Sequence, residues 1–281
     1  MEDLAIIILN YNSSDKIVVQ VNKLVDEGLS SSIFYIVDND SEKDDKSKLQ
    51  YFAKANRLNF IQSCKNGGYA RGNNLAIEKA LNDNKNYFLI LNPDIEISSS
   101  VVCNLYDEIT ADEKLFIVGP RICDKYDREV IFSDGGKIRR ENYFEASHTN
   151  GGKKIGEVEI AEFNTDIDYV SGSAMMFKKE TLNLIGKIRE DFFMYFEESE
   201  WCYRLKNFPN AKQAIITSQI AYHEMSDQGK FQKFYMTRNR LFLCRLYKLP
   251  HTNLISKFLY EAQKNLFTTK RNLISLSLSY L

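Results

Sequence analysis

Apolar residues in the first hundred positions come in short runs set between polar or amphipathic stretches. The runs are LAIIIL at 4–9, IFYIV at 33–37, a shorter LNFIQ at 58–62, and YFLIL at 87–91. Runs of this length, aliphatic, β-branched and aromatic, predict strands buried on both faces, as in a parallel sheet. Three of them halt at polar residues: Asn10-Tyr11-Asn12, Asp38-Asn39-Asp40-Ser41 and Asn92-Pro93-Asp94. The proline in the last cannot donate to a ladder and so ends its strand. Between the runs, IVVQVNKLV follows Ser13, Ser14 and Asp15, any of which suits a helix N-cap. A charged amphipathic segment extends to about Asn56, and a helical LAIEKAL follows NGGYARGNN at 66–74. Strand alternating with helix four times predicts an α/β fold, a doubly wound and mostly parallel sheet with helices on both faces. Right-handed crossovers then bring Asn10, Asp38, Gly68 and Asp94 to one rim, facing one crevice.

The second half is less regular. A strand is expected at 116–121, and 129–152 is turn-rich and charged, with Gly135-Gly136 and Gly151-Gly152 marking hairpins or a loop. YVSGSAMMF at 169–177 reads as a strand whose small residues, Ser171-Gly172-Ser173, let a ligand or backbone approach closely. After DFFMYF, helical spacing through Trp201, Tyr203 and Leu205 starts a helix near Glu197. A strand at 214–221 closes on Tyr222-His223, and from Phe231 onward, including Arg238-Asn239-Arg240, the pattern is helical. No internal repeat, low-complexity tract or clear linker interrupts the chain, which we divide into a domain at 1–240 and a helical extension at 241–281.

Composition narrows the function. With 281 residues, 44% hydrophobic, the chain can bury a substantial core. Lys and Arg total 37 against 38 Asp and Glu, a net charge of -1, so no field of either sign recruits nucleic acid. The five cysteines are scattered, odd in number and without a C-x-x-C pair; all five read as buried thiols of a reducing compartment. No stretch reaches the roughly 18 apolar residues of a membrane span, which predicts a cytosolic protein, at most peripheral on a membrane.

The candidate chemistry sits at the strand ends. Asp38 can accept a base N–H or a ribose hydroxyl, or simply cap a turn. The Gly67-Gly68 pair before a helix suits close backbone approach and an anion at the helix start, although it lacks the G-K-[ST] of a Walker loop. Arg71 can stack on a nucleotide or sit in solvent. Asp94 can hold Mg²⁺ or Mn²⁺ while diphosphate oxygens fill other positions, or belong to an ordinary turn. Glu197, Glu198 and Glu200 form a carboxylate cluster beside aromatics, where a general base's pKa is raised; acids also enrich any helix's first turn. His223, at a strand end, can be a metal ligand, a phosphate donor or a surface residue.

Taken jointly, LNYN, VDNDS, NGGYARGNN, LNPD, SGSAMMF, FFMYFEESEWCYRL and YHEMSDQG, in that order, resemble the family-2 glycosyltransferases and most closely their rhamnosyltransferase-like branch. The resemblance covers about 4–240 and implies a nucleotide-binding half at about 1–120 and an acceptor-binding half at about 121–240. It implies a GT-A, Rossmann-like fold and inverting transfer of a sugar, with rhamnose a candidate, from a dTDP- or UDP-sugar to a glycan or lipid-linked acceptor in bacterial surface polysaccharide synthesis. By the same resemblance Asn10, Tyr11, Asn12, Asp38, Asn39, Gly68, Arg71, Asn92 and Asp94 bind the sugar nucleotide. Asp94 and His223 hold the divalent cation, and Glu198, flanked by Glu197 and Glu200, is the base. Ser171, Gly172, Trp201 and Arg238 face the acceptor. The chain departs from the family pattern twice: Asn92 replaces the first Asp of the D-x-D motif, and Glu198 stands where the base is usually Asp. A sugar nucleotidyltransferase and a non-catalytic nucleotide-sugar-binding subunit are the alternatives. The C-terminal stretches at 255–260 and 272–276 set large apolar groups beside basic ones, Lys257 within the first and Arg271 just ahead of the second, as a helix lying on a membrane, pairing in a homodimer or packing on its own core would.

Overall fold

A computed structural model describes residues 1–159, 161–224, 229–250 and 254–256. In chain order the elements are β1 (Leu4–Asn10), α1 (Ser14–Asp26), β2 (Phe34–Asp38), α2 (Lys43–Ala55), β3 (Asn59–Gln62), α3 (Gly68–Asn82), β4 (Tyr87–Leu91), β5 (Ile95–Glu96), α4 (Ser99–Ala111), β6 (Leu115–Asp124), β7 (Ile131–Ser133), β8 (Gly136–Arg139), β9 (Glu145–His148), β10 (Phe163–Asn164), β11 (Ala174–Lys178), α5 (Lys179–Ile185), α6 (Glu197–Arg204), β12 (Lys212–His223) and α7 (Lys230–Leu246). They fall into two compact units, one of Met1–Ile138 with 146–224, the other of Arg139–Glu145 with the described residues from 229 onward.

In the first unit the main sheet runs β10-β12-β6-β11-β4-β1-β2-β3, with β5 added to β12 and β7 to β6. β3, β2, β1 and β4 are mutually parallel, β11 is antiparallel to both β4 and β6, and β12 runs parallel with β6. The sheet is therefore mixed and mostly parallel, the expected α/β class. Chain order reverses between β1, which leads outward to β2 and β3, and β4 on its other side. A crevice opens at such a switch point, beyond the carboxyl ends of the strands. Asn10 at the end of β1 is in register with Asp38 at the end of β2.

The aliphatic runs are interior: Leu4, Ile6, Ile8, Phe34, Ile36, Leu89 and Leu91 are almost fully buried and share one cluster with Ile17, Val21 and Leu24 of α1. Farther along, Arg121 on β6 grips Asp134 through two bonds, Nε to Oδ1 at 2.7 Å and Nη2 to Oδ2 at 2.8 Å, in a buried pair that fixes the segment after β7.

Several expectations need correction. α3 begins at Gly68, seven residues ahead of LAIEKAL, because the polar residues of GYARGNN are inward-facing: Asn73 donates to the Tyr69 carbonyl (3.0 Å), and Asn74 to the Ile188 carbonyl (2.8 Å) and Glu190 Oε1 (3.0 Å). The strand expected at 169–177 starts only at Ala174, which leaves Ser171-Gly172-Ser173 as a turn before it. The cysteines are not all buried: Cys64 is exposed and Cys103 half-buried, and only Cys123, Cys202 and Cys244 are interior. No helix among the described residues is long and apolar enough to cross a membrane. Of the C-terminal stretches at 255–260 and 272–276, all but Ile255 and Ser256 lie outside the described residues.

Candidate active site

At the ends of β1 and β2 the two turns are joined by side chains. The Asn10 amide nitrogen lies 2.9 Å from Asp38 Oδ1, 3.0 Å from Ser41 Oγ and 2.7 Å from Asp45 Oδ1. Asn12, in left-handed backbone at φ 53, receives the Glu42 N–H on its Oδ1 (2.8 Å) and donates its own N–H to Ser41 Oγ (3.0 Å). The start of α1 has no capping bond from Ser13; instead Asp45 of α2 accepts the Ser14 N–H (2.9 Å) and Asn10 Oδ1 accepts that of Ser13 (2.9 Å). Burial opposes the Asp45 charge, but the bonds from Asn10 and Ser14 outweigh it and hold this carboxyl below its ordinary range.

Asp38 is fully buried, and its second oxygen accepts from the Gln62 amide (2.9 Å) and the Ser41 N–H (3.3 Å). It reaches the rim through Gln62, an exposed residue at the end of β3 that the sequence reading did not single out. Tyr11, by contrast, is 52% exposed, an aromatic face presented to solvent at the crevice edge.

The start of α3 corrects the anion-site expectation. The Gly67 N–H goes to Asn39 Oδ1 (3.3 Å), that of Gly68 to Asn66 Oδ1 (3.0 Å) and that of Tyr69 to the Phe193 carbonyl (2.7 Å). These donors are already engaged, so the helix start offers them to no phosphate. Gly68 is required for another reason: at φ +85, a Cβ there would stand 2.1 Å from the Phe193 carbonyl oxygen. Arg71 lies on the helix, not in a loop; its guanidinium is 3.8 Å from Glu190, and its Nε has no hydrogen-bond partner among the described residues.

Beyond β4, Asn92, Pro93 and Asp94 form a turn closed by the Ile95 N–H on the Asn92 carbonyl (3.2 Å). β5 then pairs antiparallel with the end of β12, Ile95 opposite His223. This pairing brings His223 Nε2 to 3.4 Å from Asp94 Oδ2. Burial pushes the Asp94 carboxyl up, but the His223 hydrogen bond and charge outweigh it and leave it below the usual range. Asp94 Oδ1 and His223 Nδ1 are buried without a hydrogen-bond partner among the described residues. A carboxylate and an imidazole with capacity to spare fit a hard divalent cation that keeps most of its shell for other oxygens. Among the described residues no group of three or more His, Cys, Asp or Glu converges as a complete cage.

The turn at 171–173 joins this corner to the glutamates. The Ser173 carbonyl accepts the Asn92 N–H (2.9 Å), and the Gly172 carbonyl accepts the Tyr69 hydroxyl (2.6 Å). A Cβ on Gly172 would meet Glu198 Cγ at 3.1 Å, so Glu198 packs directly on this turn. Leading into α6, Phe193, Tyr195 and Phe196 all adopt positive φ, 68, 70 and 75°. Non-glycine residues hold such angles only under tertiary constraint, a pattern concentrated at functional sites. Glu197 is buried, its Oε2 without a hydrogen-bond partner among the described residues. Burial raises the pKa of Glu198, and burial together with the Glu198 charge raises that of Glu197.

Two sequence assignments do not hold in this setting. Glu200 is buried, 3.1 Å from Arg204 Nη2 and 3.9 Å from Arg189 Nε, an ion pair that gives it a structural task. Trp201, expected at the acceptor, is fully buried: its indole donates to the Gly186 carbonyl (2.7 Å) and its ring meets Phe177 edge-on at 4.9 Å. Trp201→Ala is therefore expected to cost about 3–5 kcal/mol of stability, read from urea unfolding, as for other large aromatic truncations in cores. Arg238 lies on α7 in the second unit, its guanidinium 2.7 Å from Asn239 Oδ1.

A model of the family described as Glycosyl transferase family 2 matches residues 5–184, ending ahead of α6 and β12. Over 98% of its length the chain is 29% identical to the low-salt glycan biosynthesis hexosyltransferase Agl10 of Haloferax volcanii, covering 83% of that protein. Over 87% it is 23% identical to the dTDP-rhamnosyl transferase RfbF of Shigella flexneri, covering 80% of it. Among solved structures it superposes on GalNAc-T7 with UDP, GalNAc and Mn²⁺ with a TM-score of 0.65 at 12% identity, over 86% of this chain and 47% of that one. On the mannosyltransferase PcManGT from Pyrobaculum calidifontis in complex with GDP-Man and Mn²⁺ the TM-score is 0.59 at 13% identity, over 84% of this chain and 61% of that one. The chain thus spans less than two thirds of the length of either structure, and what it shares with them is the fold.

Proposed function

The chain belongs to glycosyl transferase family 2, and on that premise we propose that it moves a sugar, with inversion, from a dTDP- or UDP-sugar to a hydroxyl of a glycan or lipid-linked acceptor in surface polysaccharide synthesis. Its fold is of the GT-A type. The observation that carries the proposal is the turn at 171–173, whose Ser173 carbonyl holds the Asn92 N–H of the turn that carries Asp94, itself 3.4 Å from His223, and whose Gly172 packs against Glu198. A single displacement needs two such groups, a proton acceptor for one face of the anomeric carbon and charge neutralisation for the other. Asp94 and His223 would hold Mg²⁺ or Mn²⁺, which when bound supplies positive charge to the departing diphosphate. Glu198 takes the proton from the acceptor hydroxyl as its oxygen forms the new bond to the anomeric carbon. The bonding pair of the broken sugar–phosphate bond leaves with the diphosphate.

The nucleoside is proposed to sit at the β1–β2 rim, with the exposed Tyr11 ring and the Gln62 amide as first contacts and Asn10, Asn12, Asp38 and Asn39 holding that rim in shape. Arg71, whose Nε is unpaired among the described residues, is proposed to reach the donor from α3. The relatives' hexosyl and dTDP-rhamnosyl transfer support a hexose or 6-deoxyhexose donor. The test is a screen of nucleotide sugars by thermal shift with Mn²⁺ and by donor hydrolysis. One dTDP- or UDP-sugar is expected to raise the melting temperature and to release nucleoside diphosphate. Pyrophosphate formed from a nucleoside triphosphate and a sugar 1-phosphate would instead make the protein a nucleotidyltransferase.

A further inference from the structure

Gln20 is a polar residue on the buried face of α1, among Ile17, Val21 and Leu24. It is only 7% exposed. Its amide nitrogen donates to two main-chain carbonyls at once, Asn92 at 2.9 Å and Ile95 at 2.7 Å. These two residues bracket Pro93 and Asp94, and Ile95 is also the residue that pairs with His223 on β12. One amide therefore ties down both ends of the turn that carries Asp94 and the strand that sets His223 beside it. Packing does not explain its presence: an aliphatic side chain would fill the site without the cost of burying an amide, and Gln20 Oε1 has no hydrogen-bond partner among the described residues.

We infer that Gln20 is a positioning residue for the Asp94–His223 cation site, holding the turn so that carboxylate and imidazole face a common point. This rests on the cation reading above. A ligand carried on a short turn is only as well placed as the turn's ends, and outer partners that orient metal ligands typically contribute about 10–100-fold in affinity.

The test uses the full chain carrying Gln20→Met, which keeps an unbranched side chain of similar length without a donor, and Gln20→Asn, which keeps the donors but falls a methylene short. Mn²⁺ binding is measured by calorimetry in the presence of UDP and of dTDP, and donor hydrolysis is followed across a Mn²⁺ series. Both variants are expected to bind Mn²⁺ about tenfold more weakly than the unaltered protein, and to need correspondingly more Mn²⁺ while regaining its kcat at saturation. An unaltered protein that binds Mn²⁺ beside a folded variant that binds it equally well overturns the inference alone, as does a kcat that falls by the same factor at every Mn²⁺ concentration. An unaltered protein that takes up no Mn²⁺ with either nucleotide removes the cation reading and this inference with it.

Discussion

Glu198→Gln is expected to lower kcat by roughly 10²–10⁴-fold, the usual contribution of a positioned base, with little change in donor affinity. Gln keeps the shape of the side chain on the 171–173 turn and removes its capacity to take a proton. Glu197 and Glu198 both titrate above the usual carboxylate range because burial penalises their charge, and they do so as a pair. The base must be ionised to act, so kcat/KM should climb with pH through a window above that range. Stability should move the other way. A carboxyl whose folded-state pKa is raised binds its proton more tightly folded than unfolded. Its contribution is complete below the ordinary carboxylate pKa and is lost as pH rises through the raised value. Glu197→Gln removes one of the two raised groups, so it should melt higher than the unaltered protein at neutral pH, with the gap closing in acid. Thermal melts over a pH series read this directly. Normal turnover by Glu198→Gln together with a dead Glu197→Gln would transfer the base to Glu197, and a product of retained anomeric configuration in the NMR spectrum would end the single-displacement mechanism.

Asp94→Ala should abolish transfer outright, because it removes the carboxylate proposed to hold the cation at the departing diphosphate. His223→Ala should be milder, raising the Mn²⁺ needed without eliminating activity. With only the two proposed ligands, Asp94 and His223, and no group of three or more His, Cys, Asp or Glu among the described residues, the nucleotide-free protein should bind Mn²⁺ weakly. Affinity should rise once a nucleoside diphosphate contributes its oxygens. Calorimetry with and without UDP separates the cases: tight Mn²⁺ binding by the nucleotide-free protein, or donor binding indifferent to EDTA, counts against the assignment.

The sequence by itself determined the strand frame and its rim. Aliphatic runs such as LAIIIL and YFLIL can be buried only on both faces, and the polar residues that end them then stand where a parallel sheet opens. Asn10, Asp38 and Asp94 were legible for that reason, as was the helix opening at Glu197. Only the tertiary structure decided which of these groups touch a partner. Asp94 acquires His223 because β5 adds to β12, a two-residue strand too short to leave a periodic signal. The glycine-rich segment became helix because Asn73 and Asn74 find buried acceptors, which a polarity pattern reads as loop. Glu200 and Trp201 follow Glu198 within three positions, yet one closes an ion pair with Arg204 and the other fills the core. Gln20 left no trace in the pattern at all. Local periodicity reports how a residue's own element is solvated, whereas a hydrogen bond to a carbonyl on another element depends on where the fold carries that carbonyl.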